Sequence, residues 1–259
     1  MAKHKQNSGR QNKLINLVFK LIIAAMVISI TGLLISNLFK TIKNLGYFSI
    51  KDILIKGNDA IELSYLKGEN IFDIDIQKES GYIMQTSPNY KKIRLIRILP
   101  NRLFVDFIKR RPLAIVKLYR FFCVDEESVL FDCPQQPGEQ DLPVVWGLET
   151  KIFGPKSGRK YSTKELSLAL SIIQEARINK AFKGYKIRRI DVANVANASI
   201  FLKNEALPDA LEVKINQDNI KEEFAILSEL ILQVKLDLKN IKYIDLRFKE
   251  PVIKYKDAQ

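Results

Sequence analysis

The stretch "RLIRILPNRLFVDFIKRRPLAIVK", Arg94 to Lys117, reads as two strands joined by a tight turn. Leu103, Val105 and Phe107 stand at alternate positions and so share one face of the second strand, Arg102 to Lys109. The first strand runs from Lys91 to Leu99. Pro100 and Asn101 suit the turn between them, because proline fixes φ and asparagine tolerates a left-handed backbone. Seven basic residues thread through the stretch. On a hairpin their place is the water-facing side, where long stems lie over apolar surface.

Upstream, "FSIKDILIKGN" alternates Ile50, Ile53 and Ile55 with polar residues and stops at Gly57 and Asn58, the pattern of a strand. A short turn of structure is predicted over "IELSYL", and Asp75 can cap a brief helix through Met84. "TSPNY" ends that helix, since the residue before Pro88 avoids helical angles. The order is strand, short helix, helix, strand, strand.

From Leu21 to Phe39 no residue is charged. A helix of roughly 20 such residues spans the ~30 Å hydrocarbon layer of a bilayer, so a single transmembrane helix is predicted. A cleaved signal peptide competes with that reading, but its apolar region is shorter, about 7 to 15 residues, and "SNLFKTIK" offers no small-residue cleavage site. Lys3, Lys5, Arg10, Lys13 and Lys20 precede the helix with no acid among them, while Lys40, Lys43 and Lys51 follow it. The bias favours a cytoplasmic N-terminus and places everything from about Asn44 outside.

That orientation constrains the reading of charge. Lys and Arg number 42 against 29 Asp and Glu, a net charge of +13, which alone would suit nucleic acid, anionic lipid or an acidic partner. Outside the cytoplasm no nucleic acid is expected, and no nucleic-acid reading module is recognisable. A lysine-rich solvated surface beside anionic lipid is the simpler account.

Catalytic signals are absent. His4 is the only histidine and falls in the cytoplasmic tail, so no outer imidazole base, His triad or His metal site is expected. In "GPKSGRK" three residues separate Gly154 from Gly158 where a phosphate loop needs four, and Tyr161 follows Lys160 where it needs Ser or Thr. That segment reads as a surface loop. Catalytic residues, cofactor and metal are all expected to be none. Cys123 and Cys133 would lie in an oxidising space. If "VDEESV" is a hairpin with Val124 opposite Val129, Cys123 faces Leu130 and Cys133 faces Arg120. An offset of three residues is roughly 10 Å along a strand, beyond the ~7 Å between Cα atoms that a bridge allows. A disulfide is therefore disfavoured unless Pro134 bends the chain back.

"SIKDILIKGN", "GENIFDIDI", "SPNYKKIRLIRILPNRLFVDFIKRRPLAIVK" and "CVDEESVLF" together resemble the FtsQ/DivIB family of bacterial division proteins. The likeness rests on Pro88, Arg97, Pro100, Asn101, Arg110, Arg111, Pro112 and Ala114; Arg110 departs from the family, which has an acid there. It continues through "LPVVWG", "IRRIDV" and "IKYIDLRFKEPVIKY". The resemblance implies an α+β fold: one transmembrane helix, a POTRA domain (βααββ) and a mixed β-sheet domain with two helices. The expected boundaries are 1–20 for the tail, 21–39 for the membrane helix, 47–113 for the POTRA domain and 114–255 for the β domain. Both helices of the last domain have their own signals. Ser162 and Glu165, then Asn219 and Glu222, have capping-box spacing. Leu166, Ala169, Leu170 and Ile173 share one helix face, and Ile220, Phe224, Leu227, Ile231 and Val234 another.

In "IKYIDLRF", Ile244, Leu246 and Phe248 fall on one face and Tyr243, Asp245 and Arg247 on the other. Pro251 follows, so this strand is expected to end the sheet. An open edge is either protected or used for pairing. The resemblance implies pairing with an FtsB-like coiled-coil protein, the companion of an FtsL-like one. It points to Tyr243, Arg247, Phe248, Lys249, Glu250 and Ile253 as contact residues. It also implies that the POTRA segment, Phe48 to about Pro112, docks other membrane division proteins. The expected function is a non-enzymatic bitopic scaffold at the division septum, with its C-terminal domains periplasmic or extracellular. Two other classes compete. A POTRA-bearing transport or outer-membrane assembly factor would normally bring a β-barrel or repeated POTRA units, and an anchored enzyme would need a Ser/Lys or carboxylate pair.

Overall fold

The computed structural model describes residues 6–43, 46–56, 61–133, 141–148, 154–232 and 238–256. The chain divides into two compact units, Met1–Ser80 with Arg94–Phe107, and Gly81–Ile93 with Ile108–Gln259.

The first unit opens with α1, Gln6–Lys43. Its apolar part, Asn16–Ile42, is 27 residues with none buried, long and apolar enough to cross a membrane. At 1.5 Å per residue it measures about 40 Å. It outruns the expected span at both ends because the exposed Lys20 and Lys40 continue the helix, and long lysine stems let a charged head stay in water beyond an apolar span. In chain order β1 (Asp52–Lys56), a 3-10 turn at Ser64–Leu66, α2 (Ile76–Thr86), β2 (Tyr90–Ile98) and β3 (Arg102–Lys109) follow, with the Gly81–Ile93 part of α2 and β2 and the end of β3 counted in the second unit. The three strands form one sheet in the order β1-β3-β2, with β1 parallel to β3. Asp75 caps α2 as expected, its Oδ1 accepting from the N–H groups of Gln77 and Lys78 at 3.0 and 3.1 Å. Leu103, Val105 and Phe107 are buried, as are Ile50, Ile71 and Leu95. Arg97 is exposed, as expected of these water-facing arginines, and also takes local partners. Its guanidinium donates to the carbonyls of Ile71 and Ile74 at 2.7 and 2.6 Å, because those loop carbonyls have no strand partner and need a donor.

The second unit is one nine-stranded mixed sheet with two helices. In chain order it comprises β4 (Ala114–Lys117), β5 (Phe121–Val124), β6 (Leu130–Phe131), β7 (Val144–Trp146), α3 (Lys164–Ile178), β8 (Lys186–Asp191), β9 (Ala198–Lys203), β10 (Leu211–Ile215), α4 (Ile220–Leu232), β11 (Ile241–Asp245) and β12 (Val252–Tyr255). Across the sheet the order is β12-β11-β10-β9-β8-β7-β4-β5-β6. Parallel neighbours need a crossover, and the helices supply two of them: α3 joins β7 to β8, and α4 joins β10 to β11. Leu166, Ala169, Leu170 and Ile173 of α3 and Phe224 and Leu227 of α4 are buried in a core shared with the strands, against which Ile220 and Ile231 pack. Val234 lies outside the described residues. The caps differ from expectation. Thr163, one residue later than Ser162, accepts from the N–H of Leu166 at 3.2 Å. Before α4 a 3-10 turn, Gln217–Asn219, displaces the expected start, and Glu223 reaches back to the N–H of Asn216.

Two local features hold the start of this unit. Arg110 donates to the Asp125 carboxylate at 2.5 Å, with side-chain exposures of 9% and 3%, and to the carbonyl of Pro88 at 3.1 Å. Arg110 therefore has an ion pair of its own, with an acid from the β5–β6 turn. Gly147 has φ +84°, and a Cβ there would stand 2.1 Å from the backbone nitrogen of Ala193.

Cys123 and Cys133 form a disulfide, with Cα atoms 5.0 Å apart. This corrects the expectation, for two reasons. Ser128 adopts φ 62°, which adds a residue to the turn and sets Cys123 opposite Phe131 and Val124 opposite Leu130. β6 then ends at Phe131, so Cys133 leaves the strand direction and closes on Cys123. The bridge belongs to a small cluster with Ile115, Phe131, Leu142 and Val144.

Candidate partner-binding edge

A nine-stranded open sheet has two edges, and this one treats them differently. β6 is covered by the loop expected at "GPKSGRK". Leu130 donates to the carbonyl of Arg159 at 3.1 Å, Gly158 donates to the carbonyl of Leu130 at 2.7 Å, and Val129 bridges Lys160. At the other end β12 pairs antiparallel with β11, Asp245 opposite Val252 and Ile244 opposite Ile253, and no described strand flanks its outer side.

The edge strand is thus β12, and not the "IKYIDLRF" strand expected from sequence. β11 stops at Asp245, and residues 246–250 bend back. Pro251 immediately precedes β12, a position where its missing N–H costs no ladder bond. The candidate residues are distributed over three settings. Tyr243 lies half-buried within β11, with Lys214 Nζ 4.2 Å from its ring centre. Phe248, Lys249 and Glu250 are exposed on the bend, Phe248 by 58%. Ile253 sits in β12 and packs on the core. Leu246 is buried, so the expected shared face of Leu246 and Phe248 breaks where the strand ends.

Arg247 is held by its own neighbours. Its Nε donates to Asp245 Oδ1 at 2.8 Å, its Nη2 to Oδ2 at 2.5 Å, and its Nη1 to the side-chain oxygen of Asn197. The Arg247 guanidinium holds the Asp245 carboxyl below the ordinary carboxylate range. Sequence reading missed Val252, Lys254 and Tyr255, all exposed on β12. The Pro-led run "PVIKY" carried the signal, since a proline that ends one strand can equally begin the next. It also missed Glu223, only 4% exposed, whose two oxygens accept from the N–H of Asn216 at 3.2 and 3.0 Å. Burial pushes this carboxyl up to about 7. No cluster of three metal-ligating side chains occurs among the described residues.

The fold defines a membrane-anchored α+β protein: one apolar helix, a three-stranded POTRA-type sheet, and a larger mixed sheet whose terminal strand, β12, has no described strand on its outer side. No family profile matches the chain. It is 22% identical over 243 residues to the cell division protein FtsQ of Geotalea daltonii, covering 90% of this chain and 85% of that one. It is 23% identical to FtsQ of Syntrophotalea carbinolica, covering 82% and 75%, and 27% identical to FtsQ of Rickettsia prowazekii, covering 69% and 66%. These likenesses span most of the chain and agree in name across distant bacteria. The chain is similar to FtsQ cell division proteins over most of its length.

Proposed function

We propose that this division protein is a non-enzymatic bitopic scaffold whose β12 edge receives a strand from an FtsB-like protein bound to an FtsL-like one. In this reading the N-terminus is cytoplasmic, and the POTRA and β domains, about 47–113 and 114–255, lie outside at the septum. The POTRA domain docks other membrane division proteins. The observation that carries the reading is the asymmetry of the large sheet: β6 is covered by residues 158–160, while β12 has no described neighbour outside it. Uncovered edges template pairing with another chain.

Backbone pairing is not enough by itself. Four residues of β12 offer a handful of bonds at about 1 kcal/mol net each, against ~4 to 15 kcal/mol lost on association. Side chains therefore set affinity. Phe248, Lys249 and Glu250 on the bend, Ile253 with Val252, Lys254 and Tyr255 on the strand, and Tyr243 beside them form that surface. Arg247 supports the bend instead of reaching outward.

The test is co-purification of the full chain in detergent with the same organism's FtsB/FtsL-like coiled coil. Two comparisons accompany it, a chain ending at Lys249 and the double variant Lys254→Glu, Tyr255→Ala. The reading expects capture by the full chain, none by the truncated one, and at least about tenfold weaker binding by the double variant. Undiminished binding by both would sink it.

A further inference from the structure

Under the bend that carries Phe248 to Glu250 lies a group of charges with more acid than base. Glu223, on the first turn of α4, is buried, and its recorded partner is a main-chain N–H, that of Asn216. Asp245, at the end of β11, is equally buried and has taken the fork of Arg247 for itself. Asp218, from the 3-10 turn before α4, adds a second negative field at Glu223 to that of Asp245, and the Asn216 N–H and Arg247 oppose them. From β10, Lys214 favours ionised Asp245, while Glu212 faces Arg247 and is bonded to Ser199. The Glu223 oxygens sit on the N–H of Asn216, two residues beyond Lys214, which pairs with Asp245 and accepts from the N–H of Leu246; both buried carboxylates therefore lie at the same end of β10 and β11, and the fork of Arg247 is on Asp245.

The arithmetic of the cluster depends on the proton of Glu223. With Glu223 neutral, Asp245 and Arg247 are balanced, and Arg247 has an arm free to bind Asn197, at the end of a 3-10 turn ahead of β9. With Glu223 ionised, a second buried negative charge competes for the same cation, and an uncompensated buried charge is costly. The cheapest relief is for Arg247 to turn towards Glu223 or for water to enter, and either loosens the anchorage of residues 246–250. Burial sets the switch in the neutral range, since it raises the Glu223 carboxyl to about 7.

We propose that Glu223 is a positioning residue that makes the partner edge pH-sensitive: its neutral form locks Arg247 onto Asp245 and Asn197, and its ionised form releases the bend next to β12. The inference deepens the scaffold reading by adding regulation to the same edge, and its partner-binding consequence rests on that reading.

Amide hydrogen exchange of the full chain in detergent, corrected for intrinsic rates and run near pH 6 and near pH 8, tests the latch without any partner. The amides of residues 246–250 are expected to exchange about tenfold faster, relative to intrinsic rates, at the higher pH, with β9 and β10 as unchanged references. Glu223→Gln, neutral at both values, should keep the slow rates throughout. Arg247→Lys, which keeps the charge but loses the fork, should be fast at both. Protection that is flat with pH in the natural chain, or a pH dependence that survives Glu223→Gln, overturns the proposal. Binding of the FtsB/FtsL-like coiled coil, measured in parallel, should weaken about tenfold from pH 6 to pH 8 in the natural chain and stay constant in Glu223→Gln. A working latch with no capture at either pH would remove the scaffold reading and leave the latch standing.

Discussion

Arg110 shows how one side chain can hold a segment that the hydrophobic pattern does not explain. It joins Asp125 to the Pro88 carbonyl, while its own N–H donates to the Asn89 carbonyl at 2.8 Å. Arg110→Ala should leave Asp125 buried without its cation, a loss of about 3–5 kcal/mol in denaturant titration of the full chain. Gly147→Ala is a second sharp test. A Cβ would collide with backbone at Ala193 in a conformation that only glycine adopts freely, so destabilisation above about 2 kcal/mol is expected in the same assay. Glu223 gives the pH dependence. Its folded value of about 7 exceeds the ordinary 4.5, so the folded chain keeps a proton that the unfolded chain has released. Its contribution is full below about 4.5 and is lost as pH rises through about 7. Melting curves at pH 5 and pH 8 should show the lower midpoint at pH 8, and Glu223→Gln should remove that part of the slope. Asp245 has the opposite sign: lowered by Arg247, it stabilises above the ordinary carboxylate range and is lost on acidification.

The disulfide is the local staple of the β5–β6 hairpin. It closes a separation of 10 residues on a strand that is only two residues long. Chain-entropy reasoning gives roughly 2–3 kcal/mol for such a loop, so reduction, or Cys123→Ser with Cys133→Ser, should lower stability by that amount. The covering loop should also loosen, which limited proteolysis around residues 154–161 would detect. Sequence reading placed every helix and nearly every strand of both units, because alternation and helical stripes are local properties. It missed the hairpin register by one residue and the α3 cap by one residue. Ser128 in the left-handed region decides the first, and Thr163 competes with an adjacent Ser162 for the second.

For the whole chain, the two cysteines report topology. In the proposed orientation, with a cytoplasmic N-terminus ahead of α1, Cys123 and Cys133 lie in an oxidising compartment, where a bridge between them persists. Alkylation of unreduced cells with a thiol-reactive mass tag should therefore leave the chain unshifted, and prior reduction should add two tags. Tagging without reduction would place these units on the cytoplasmic side and remove the proposed septal scaffold. The candidate edge was partly legible. Ile253, Phe248, Lys249 and Glu250 stand on or next to the edge, whereas Tyr243 is one strand inward and Arg247 is a brace.

Read alone, the sequence determined the apolar helix, the order of strands and helices, the faces that bury Leu103 or Phe224, and the likeness to division proteins. Each depends on spacing along the chain or on a short motif, and so survives without knowledge of distant residues. The pairing of Cys123 with Cys133, the loop-carbonyl partners of Arg97, the partner of Arg110, the position of β12 outside β11, and the buried carboxylate of Glu223 were decided by the folded chain. These depend on register, on which edge is covered, and on how many charges share a dry space. All three are set by residues far apart in sequence and close in space.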